Sequence, residues 1–406
     1  MFYRKSQKKL TQLLAEFPAV AILGARQVGK TTLAFQLADA LGTDLSGREV
    51  VHIDFEAPED MVQLKDPVAF FAATADKLVI LDEVQRMPSL FPILRGVIDA
   101  RKRSGNRTAQ FVLLGSASAD LLQQSAESLA GRLAYVELGP LTLDEVSHAA
   151  SGAANADELA MHKLWQRGGF PDSYLASSEA ASVRWRKQFI STYLERDIPQ
   201  LGVRIPAETL RRFWTMLAHD QSQVFNAARL ATSLSLSGHS VARYLDVLCD
   251  VMLVRRLMPW AKQSSKRLVR APKVYVRDSG LVHALLGISG AQSLLSHPVV
   301  GGSWEGWVIE NLIAAAPQDA HISYYRTSAG AEIDLVLDLP NQETWAIEVK
   351  RSSAPTISKG FYLGSEDVKA THKIVTSSNE KTFPMGEGVH HVPLPTLMAQ
   401  LRGISA

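Results

Sequence analysis

The sequence lacks three features that would place it in a narrower class. A single cysteine, Cys249, can form neither an intrachain disulfide nor a zinc site built from cysteines. No apolar stretch approaches the roughly 20 residues of a membrane helix, and the basic N-terminus leads into no signal-peptide pattern. The 43 basic and 41 acidic residues nearly cancel to a formal charge of +2, so no global attraction to nucleic acid arises. These absences predict a cytoplasmic protein without a membrane partner.

The hydrophobic pattern changes twice along the 406 residues, which are enough for two or three domains. Residues 20–145 alternate short apolar runs with helical periodicity, as in a parallel sheet with crossover helices. Residues 158–260 are mainly helical, and residues 300–400 mix strands and helices again. The strands predicted for the first region are 20–24, 50–55, 78–83, 111–118 and 133–139.

A phosphate-binding pattern follows the first predicted strand. Residues 24–31, GARQVGKT, match G-x-x-x-x-G-K-[ST] between a strand and a helical segment. Such a loop points backbone N–H groups at phosphates, and the helix N-terminus adds a favourable dipole. Lys30 is expected to neutralise the β- and γ-phosphates of ATP, and Thr31 to bind Mg²⁺. The predicted nucleotide-binding residues are Gly24, Ala25, Arg26, Gln27, Val28, Gly29, Lys30, Thr31 and Thr32.

Two carboxylates end the strand LVILDE at residues 78–83. Asp82 is predicted to hold Mg²⁺, and Glu83 to polarise the attacking water, which favours hydrolysis over binding alone. The alternative for such a pair is an ordinary helix cap. Ser116, after the strand FVLLG, is predicted to sense the γ-phosphate, with Ser118 as the alternative. A small-molecule kinase would share the loop but would not use Glu83 as a base.

A helix–turn–helix spacing lies in the middle of the chain. Asn226 is expected to cap a first helix, a second begins after SLSG, and the segments VRRLMPW and RAPKVYVR are predicted to form a hairpin. The predicted loop of this hairpin carries four basic residues, Lys262, Lys266, Arg267 and Arg270. This pattern predicts a winged helix in which Arg243 and the basic wing contact phosphates. The alternative for the winged helix is a packing or protein-contact module. The basic segments 101–107 and 262–277 can neutralise phosphates, and the alternative for each is a solvated loop.

Charged residues recur on two predicted strands near the C-terminus. Asp334 lies in AEIDLVLDL, and Glu348 and Lys350 lie in TWAIEVKRS. Residues two apart in a strand face the same side, so Glu348 and Lys350 project together. If the two strands are neighbours, Asp334 and Glu348 can share a Mg²⁺ while Lys350 orients water.

The chain resembles the bacterial and archaeal AAA+ ATPases that join an N-terminal AAA domain to a C-terminal domain of unknown function. The resemblance covers nearly the whole chain and rests on GARQVGKTT, LVILDEVQ, LLGSAS, SLAGRL, ELGPLTLDE, GGFPDSY, YLERDI, EIDLVL and IEVK. It implies a homo-oligomer, such as a ring, with nucleotide between subunits, and it places an arginine finger at Arg132, for which a plain surface arginine is the alternative. Ser116 stands where Asn or Thr is more common. A second sensor arginine is left open among Arg167, Arg184, Arg186 and Arg196.

The C-terminal pattern resembles the core of PD-(D/E)xK nucleases, in which a helix glutamate, an aspartate and an E-x-K complete the site. The resemblance implies catalytic roles for Glu305, Asp334, Glu348 and Lys350, with Glu310 as the alternative to Glu305. Ile333 stands where the family has proline. The competing interpretation is a nuclease-like domain that keeps these residues for stability or for DNA binding without cleavage.

Together these patterns predict an α/β multidomain protein. Residues 1–150 are assigned to an AAA+ P-loop domain with a parallel sheet, 151–205 to a helical lid, 206–288 to a winged helix and 289–406 to a restriction-endonuclease-like α/β domain. The predicted function is Mg²⁺-dependent ATP hydrolysis acting on DNA, which is favoured over RNA, with a metal-dependent nuclease domain. The alternative is a nucleotide-dependent oligomeric switch that binds nucleic acid or a protein without cleaving anything.

Overall fold

The computed structural model describes residues 2–44, 49–116, 127–149, 156–200, 205–261 and 268–404. The chain divides into two compact units. Unit 1 comprises Met1–Leu141 with Asp250–Met252, and unit 2 comprises Thr142–Cys249 with Leu253–Ala406. Within the described ranges, no helix has both the length and the apolar character needed to cross a membrane.

Unit 1 is built on a five-stranded parallel sheet, which confirms the predicted parallel-sheet domain. The strand order is β2-β3-β4-β1-β5. Every residue of the three inner strands is buried, which explains why they are apolar runs rather than alternating patterns. The strands are β1 Ala19–Leu23, β2 Val50–Asp54, β3 Leu78–Asp82, β4 Phe111–Gly115 and β5 Leu133–Glu137.

The helices of unit 1 pack around this sheet. They are α1 Ser6–Glu16, α2 Lys30–Asp44, α3 Pro58–Gln63, α4 Pro67–Ala73 and α5 Leu90–Arg103, with a 3₁₀ turn at Val84–Arg86. Helix α5 buries Leu90, Leu94 and Ile98, residues at helical spacing, in the core. At its end the buried Arg101 donates to the Phe71 and Thr74 carbonyls at 2.7 and 3.1 Å. One arginine of the basic segment 101–107 is therefore structural.

Unit 2 begins with a helical region. Its helices are α6 Leu143–Ala149, α7 Ala156–Arg167, α8 Pro171–Tyr174, α9 Glu179–Thr192, α10 Ile198–Gln200, α11 Ala207–His219, α12 Ala227–Leu234 and α13 Gly238–Asp250, with a π-helical turn at Tyr193–Asp197. An antiparallel pair follows, β6 Val254–Leu257 and β7 Lys273–Val276, and then α14 Ser279–Leu285 and α15 Ala291–Leu295.

The segment GGFPDSY at residues 168–174 has a structural role in this region. Gly168 has a φ of +78°, and an added Cβ would lie 2.1 Å from the Asp278 carboxylate. That carboxylate accepts hydrogen bonds from the Gly169 N–H at 2.7 Å and the Leu281 N–H at 2.9 Å. The glycines therefore let the end of α7 reach the buried cap of α14.

Unit 2 ends in a six-stranded mixed sheet of order β12-β13-β11-β10-β9-β8. The strands are β8 His321–Arg326, β9 Glu332–Asp338, β10 Thr344–Val349, β11 His372–Thr376, β12 Phe383–Gly386 and β13 Val389–His391. The helices around it are α16 Val300–Ala315, α17 Lys359–Asp367 and α18 Leu394–Gly403. Strand β9 pairs antiparallel with both β8 and β10, and β10 pairs parallel with β11. The two strands that carry Asp334 and Glu348 are thus neighbours, as their predicted shared site requires.

Candidate nucleotide site and carboxylate cluster

The phosphate loop lies between β1 and α2 and is tightly folded. Gln27 and Gly29 have φ values of 61° and 96°, in the left-handed region. Gly24 has no such constraint, but an added Cβ would lie 2.4 Å from the Leu138 carbonyl oxygen. The first glycine is therefore required by the close approach of the chain after β5, and the second by backbone conformation.

Lys30 lies inside this loop with 5% of its surface exposed. Its Nζ donates to the carbonyls of Gly24 and Ala25, at 3.2 Å each. Burial lowers the pKa of Lys30, while Glu83 and Asp82 act to raise it. From the other side, Arg4 donates to the Val28 carbonyl at 3.1 Å, so the N-terminal segment braces the loop.

Thr31 and Asp82 meet at the start of α2. The Thr31 hydroxyl donates to Asp82 Oδ2 at 2.6 Å. Burial acts to raise the pKa of Asp82, but interactions with His52, Thr31 and Lys30 outweigh it, so the pKa lies below its usual value. A hydroxyl beside an ionised carboxylate suits Mg²⁺, which binds one or two protein oxygens together with substrate phosphates. These two residues therefore fit the predicted metal.

Glu83 follows Asp82 in the left-handed region, with a φ of 55°. Gln85 Nε2 donates to Glu83 Oε2 and, at 2.9 Å, to Ser116 Oγ. The Ser116 hydroxyl lies 3.4 Å from the same glutamate oxygen. The structure thus brings the predicted residues Glu83 and Ser116 together, and Gln85 joins them. Ser118 lies outside the described residues.

Arg132 is held within its own chain. Its guanidinium makes a two-bond pair with Asp99 at 2.8 and 2.9 Å, and its Nη1 donates to the Ala130 carbonyl at 2.9 Å. To act as an arginine finger, Arg132 would have to break its hydrogen bonds to Asp99.

Two of the four candidates for the second sensor arginine are used in the fold of unit 2. Arg167 and Arg186 both bind Glu179 at 3.0 Å, and Arg186 also donates to the Gly280 carbonyl at 3.0 Å. Arg186 is 1% exposed. Arg184 and Arg196 are exposed, so the structure leaves these two as candidates.

The predicted C-terminal residues come together at the meeting of α16, β9 and β10. Asp334 Oδ2 accepts from the Val349 N–H at 3.0 Å, and Lys350 Nζ lies 2.5 Å from Glu348 Oε1. Glu310 lies elsewhere, in ion pairs with Arg255 and Arg277. The helix carboxylate of this cluster is therefore Glu305, as the motif favoured.

A lysine that the motif does not include fills the cluster. Lys273, on β7, is 2% exposed. Its Nζ lies 3.1 Å from Asp334 Oδ1, 3.3 Å from Glu305 Oε1 and 2.9 Å from Glu332 Oε1. The Tyr275 hydroxyl also donates to Glu305 Oε1, at 2.8 Å. We call these residues, with Glu348 and Lys350, the carboxylate cluster.

The charges of the carboxylate cluster depend strongly on one another. Burial, and then the neighbouring Asp334, raise the pKa of Glu305 to about 7 and that of Glu348 to about 8. Burial acts to lower the pKa of Lys273, but the surrounding acidic groups outweigh it, and the pKa lies well above its usual value. Lys273 is therefore a permanent cation at neutral pH.

The predicted Mg²⁺ between Asp334 and Glu348 does not fit this arrangement. Ammonium groups already contact Asp334 Oδ1 and Glu348 Oε1. Within the described part of the chain, no group of three or more His, Cys, Asp or Glu side chains is placed to hold a metal ion. The two predicted metal positions thus differ, since Thr31 and Asp82 fit Mg²⁺ with a nucleotide and the C-terminal pair does not.

The helix–turn–helix region has the elements that the sequence predicts. Asn226 caps α12 by accepting from the Arg229 N–H at 3.0 Å, and Ser235, with a φ of 55°, ends that helix before α13. Arg243 on α13 and Arg270 after β6 are exposed. The predicted wing residues Lys262, Lys266 and Arg267 lie outside the described residues. Two further basic residues of the segment 262–277 bind carboxylates, Lys273 that of Asp334 and Arg277 that of Glu310. The interpretation of this segment as a solvated loop was therefore wrong for these two residues.

Four contributing residues were missed from the sequence, although each left a signal. His52 is a polar residue inside the strand VVHID, and its Nε2 lies 3.7 Å from Asp82 Oδ2. Gln85 follows Glu83 by two residues in LVILDEVQ. Lys273 and Tyr275 alternate with valines in the buried strand KVYV, a pattern that places both polar groups on one face.

Comparisons with known proteins match each part of the chain. Residues 16–147 match the AAA domain family. Residues 158–292 match a domain of unknown function, DUF8612, and residues 300–397 match another, DUF4143. The resemblance to proteins that join an AAA domain to a C-terminal domain of unknown function is thereby confirmed.

Solved structures give weaker likenesses. A Walker-type ATPase of Pyrococcus abyssi has 14% identity and a TM-score of 0.49, over 70% of this chain and 96% of that chain. The Aeropyrum pernix ORC1 protein in complex with DNA has 13% identity and a TM-score of 0.31, over 71% of this chain and 93% of that chain. With scores this low, neither likeness assigns an activity.

Two curated relatives are much more similar. They are the uncharacterized proteins Rv2008c of Mycobacterium tuberculosis and Mb2031c of Mycobacterium bovis, each 40% identical over 398 residues. The alignments cover 97% of this chain and 84% of each relative. The chain therefore belongs to the family of these mycobacterial proteins, and its N-terminal part is an AAA-type P-loop domain.

Proposed function

We propose that the N-terminal domain binds ATP with Mg²⁺ and hydrolyses it. The observation that carries this proposal is the 2.6 Å hydrogen bond from Thr31 to Asp82, directly beside Glu83. The phosphate loop alone would support nucleotide binding. The carboxylate after Asp82 supports hydrolysis, because it is placed at the end of β3 to polarise a water.

Each residue of the site has a distinct task in this proposal. The loop N–H groups and Lys30 bind the β- and γ-phosphates, and Thr31 and Asp82 hold Mg²⁺, which neutralises phosphate charge when bound. Glu83 accepts the proton of the attacking water. Gln85 and Ser116 fix the orientation of the Glu83 carboxylate, since both contact the same oxygen.

This proposal is tested by measuring the rate of phosphate release from ATP with Mg²⁺ and comparing it with the rate in EDTA. Asp82→Asn and Thr31→Ala should both abolish the Mg²⁺-dependent rate. Hydrolysis that persists at the wild-type rate in both variants would place the active site elsewhere.

We further propose that ATP hydrolysis drives action on DNA by a cytoplasmic homo-oligomer. The support is the exposed Arg243 on the second helix of a helix–turn–helix, as in a winged helix that contacts phosphates. Arg132 would act as a finger toward a neighbouring subunit's nucleotide after exchanging its partner Asp99.

A second candidate function is cleavage of DNA by the C-terminal domain. It is favoured by the convergence of Glu305, Asp334, Glu348 and Lys350 on one helix and two adjacent strands, as in PD-(D/E)xK nucleases. Its rival is a nucleotide-dependent switch whose C-terminal domain binds nucleic acid or a protein without cleavage.

A cleavage assay distinguishes the nuclease from the switch. The protein is incubated with linear and circular DNA, single- and double-stranded, with Mg²⁺ or Mn²⁺ and with or without ATP. Cleavage that is lost in both Asp334→Ala and Lys350→Ala would establish the nuclease. Intact DNA in every lane while ATP is consumed would reject it and favour the switch.

A further inference from the structure

The lysine in the carboxylate cluster comes from a different element than the acids around it. Lys273 lies on β7, whereas Glu305 lies on α16 and both Glu332 and Asp334 lie on β9. An ammonium has three N–H donors, and here three carboxylate oxygens lie within 3.3 Å of Nζ. The cation is thus coordinated by three carboxylate oxygens, and one of them belongs to Asp334, a predicted metal ligand.

The segment that carries Lys273 is fixed to the C-terminal sheet at more than this one point. The Trp260 N–H donates to the Tyr324 carbonyl at 2.7 Å, and the Val269 N–H donates to the Arg326 carbonyl at 3.0 Å. The Tyr324 hydroxyl also donates to the Ala271 carbonyl. The residues that follow β6 and those that precede β7 therefore both contact β8, and these contacts hold Lys273 in place.

We propose that Lys273 is a built-in cation that takes the place of a divalent metal, so that the carboxylate cluster binds no metal ion while this lysine is present. The inference rests on the second candidate function's assignment of Glu305 and Asp334 to one site, and it opposes the metal dependence that the nuclease motif implies. It identifies Lys273, a residue outside the motif, as the determinant of metal binding.

The distances explain why the two cations exclude each other. Mg²⁺ needs oxygens at about 2.0–2.1 Å in near-octahedral geometry. Nζ is 3.1 Å from Asp334 Oδ1 and 3.3 Å from Glu305 Oε1. A metal bound to both oxygens would therefore lie within about 5 Å of the ammonium. Repulsion between like charges at such a separation is strong in a site shielded from water. Lys350 similarly occupies Glu348, at 2.5 Å.

The test measures Mn²⁺ binding to the full-length, nucleotide-free protein by electron paramagnetic resonance. Asp334→Asn is added to wild type and to each Lys273 variant. Mn²⁺ binding that this substitution removes belongs to the carboxylate cluster, and the remainder belongs to the phosphate loop. Wild type should show no Asp334-dependent Mn²⁺. Lys273→Met, which removes the charge and keeps much of the side-chain length, should gain one Asp334-dependent Mn²⁺ per chain.

Thermal unfolding is the second readout. Lys273→Met leaves acidic side chains without their cation, so its melting temperature should fall in EDTA and recover in Mn²⁺, whereas wild type should melt at one temperature in both. Lys359→Met, which alters an exposed lysine, is the matched control and should behave as wild type. Lys273→Arg keeps the charge and should remain free of Asp334-dependent Mn²⁺.

Asp334-dependent Mn²⁺ binding by wild type would overturn the proposal even if Lys273→Met does not fold. So would a Lys273→Met protein with a wild-type circular dichroism spectrum that binds none. Neither readout uses DNA cleavage or ATP hydrolysis, so a failure here is distinguishable from a failure of the proposed function.

Discussion

Replacement of Glu83 by glutamine isolates the chemical step of ATP hydrolysis. The amide has the shape of the carboxylate and keeps an acceptor for Gln85 and Ser116, but it loses the charge that accepts a proton from water. General-base catalysis contributes typically about 10²- to 10⁴-fold. At about 1.36 kcal/mol per tenfold, the barrier should rise by about 2.7 to 5.4 kcal/mol. We therefore expect kcat to fall by about two to four orders of magnitude.

Affinity for ATP should not change, because Lys30, Thr31 and Asp82 are untouched. Steady-state phosphate release gives kcat, and equilibrium titration with a fluorescent ATP analogue gives Kd. Glu49→Gln, which neutralises an exposed carboxylate paired with Lys77, is the matched control and should keep wild-type values of both. A loss of kcat below about tenfold, or an equal loss of affinity, would refute the role of Glu83 as the base.

Three further predictions concern other parts of the molecule. Gly168→Ala should lower the free energy of unfolding by more than about 2 kcal/mol, because the new Cβ would lie 2.1 Å from the Asp278 carboxylate. The control Gly287→Ala has open space around it and should lower this free energy by only about 1 kcal/mol, as measured by urea unfolding. The pKa of Glu348 in the folded protein is about 8, above its ordinary value of 4.5. Between these pH values the folded protein keeps a proton that the unfolded chain has lost, so the stability of wild type should fall as the pH rises. Glu348→Gln should remove up to about 1.4 kcal/mol per pH unit of that slope, measured by urea unfolding from pH 5 to pH 8, and an unchanged slope would contradict the assignment. Arg132→Ala should reduce ATP turnover at protein concentrations where subunits associate but not at high dilution, and equal turnover at both would leave Arg132 a structural partner of Asp99.

The nucleotide site was predictable because its main residues lie in two short contiguous motifs. The pattern from Gly24 to Thr31 encodes a loop and a helix start, and LVILDE encodes a buried strand that ends in two carboxylates. The parallel sheet followed from apolar runs of a length typical of strands. The pairing of Gln85 and Ser116 with Glu83 was not predictable, because it depends on which strands lie side by side.

The C-terminal region shows the limit of motif reasoning. Asp334, Glu348 and Lys350 are spaced as the motif requires, and their strands are neighbours. Lys273, 61 residues before Asp334, enters the same cluster only through tertiary packing of the segment around β7. Strands β12 and β13 were also missed, since runs as short as Phe383–Gly386 and Val389–His391 carry too little periodicity.

The most direct test of the central claim is the rate of ATP hydrolysis by wild type and Lys30→Ala, each with Mg²⁺ and with DNA absent or added. Wild type should hydrolyse ATP at a rate that rises when DNA is added, and Lys30→Ala should hydrolyse none in either condition. Equal rates in the two proteins would contradict the assignment of the ATPase site, and a wild-type rate that does not respond to DNA would contradict the proposed action on DNA.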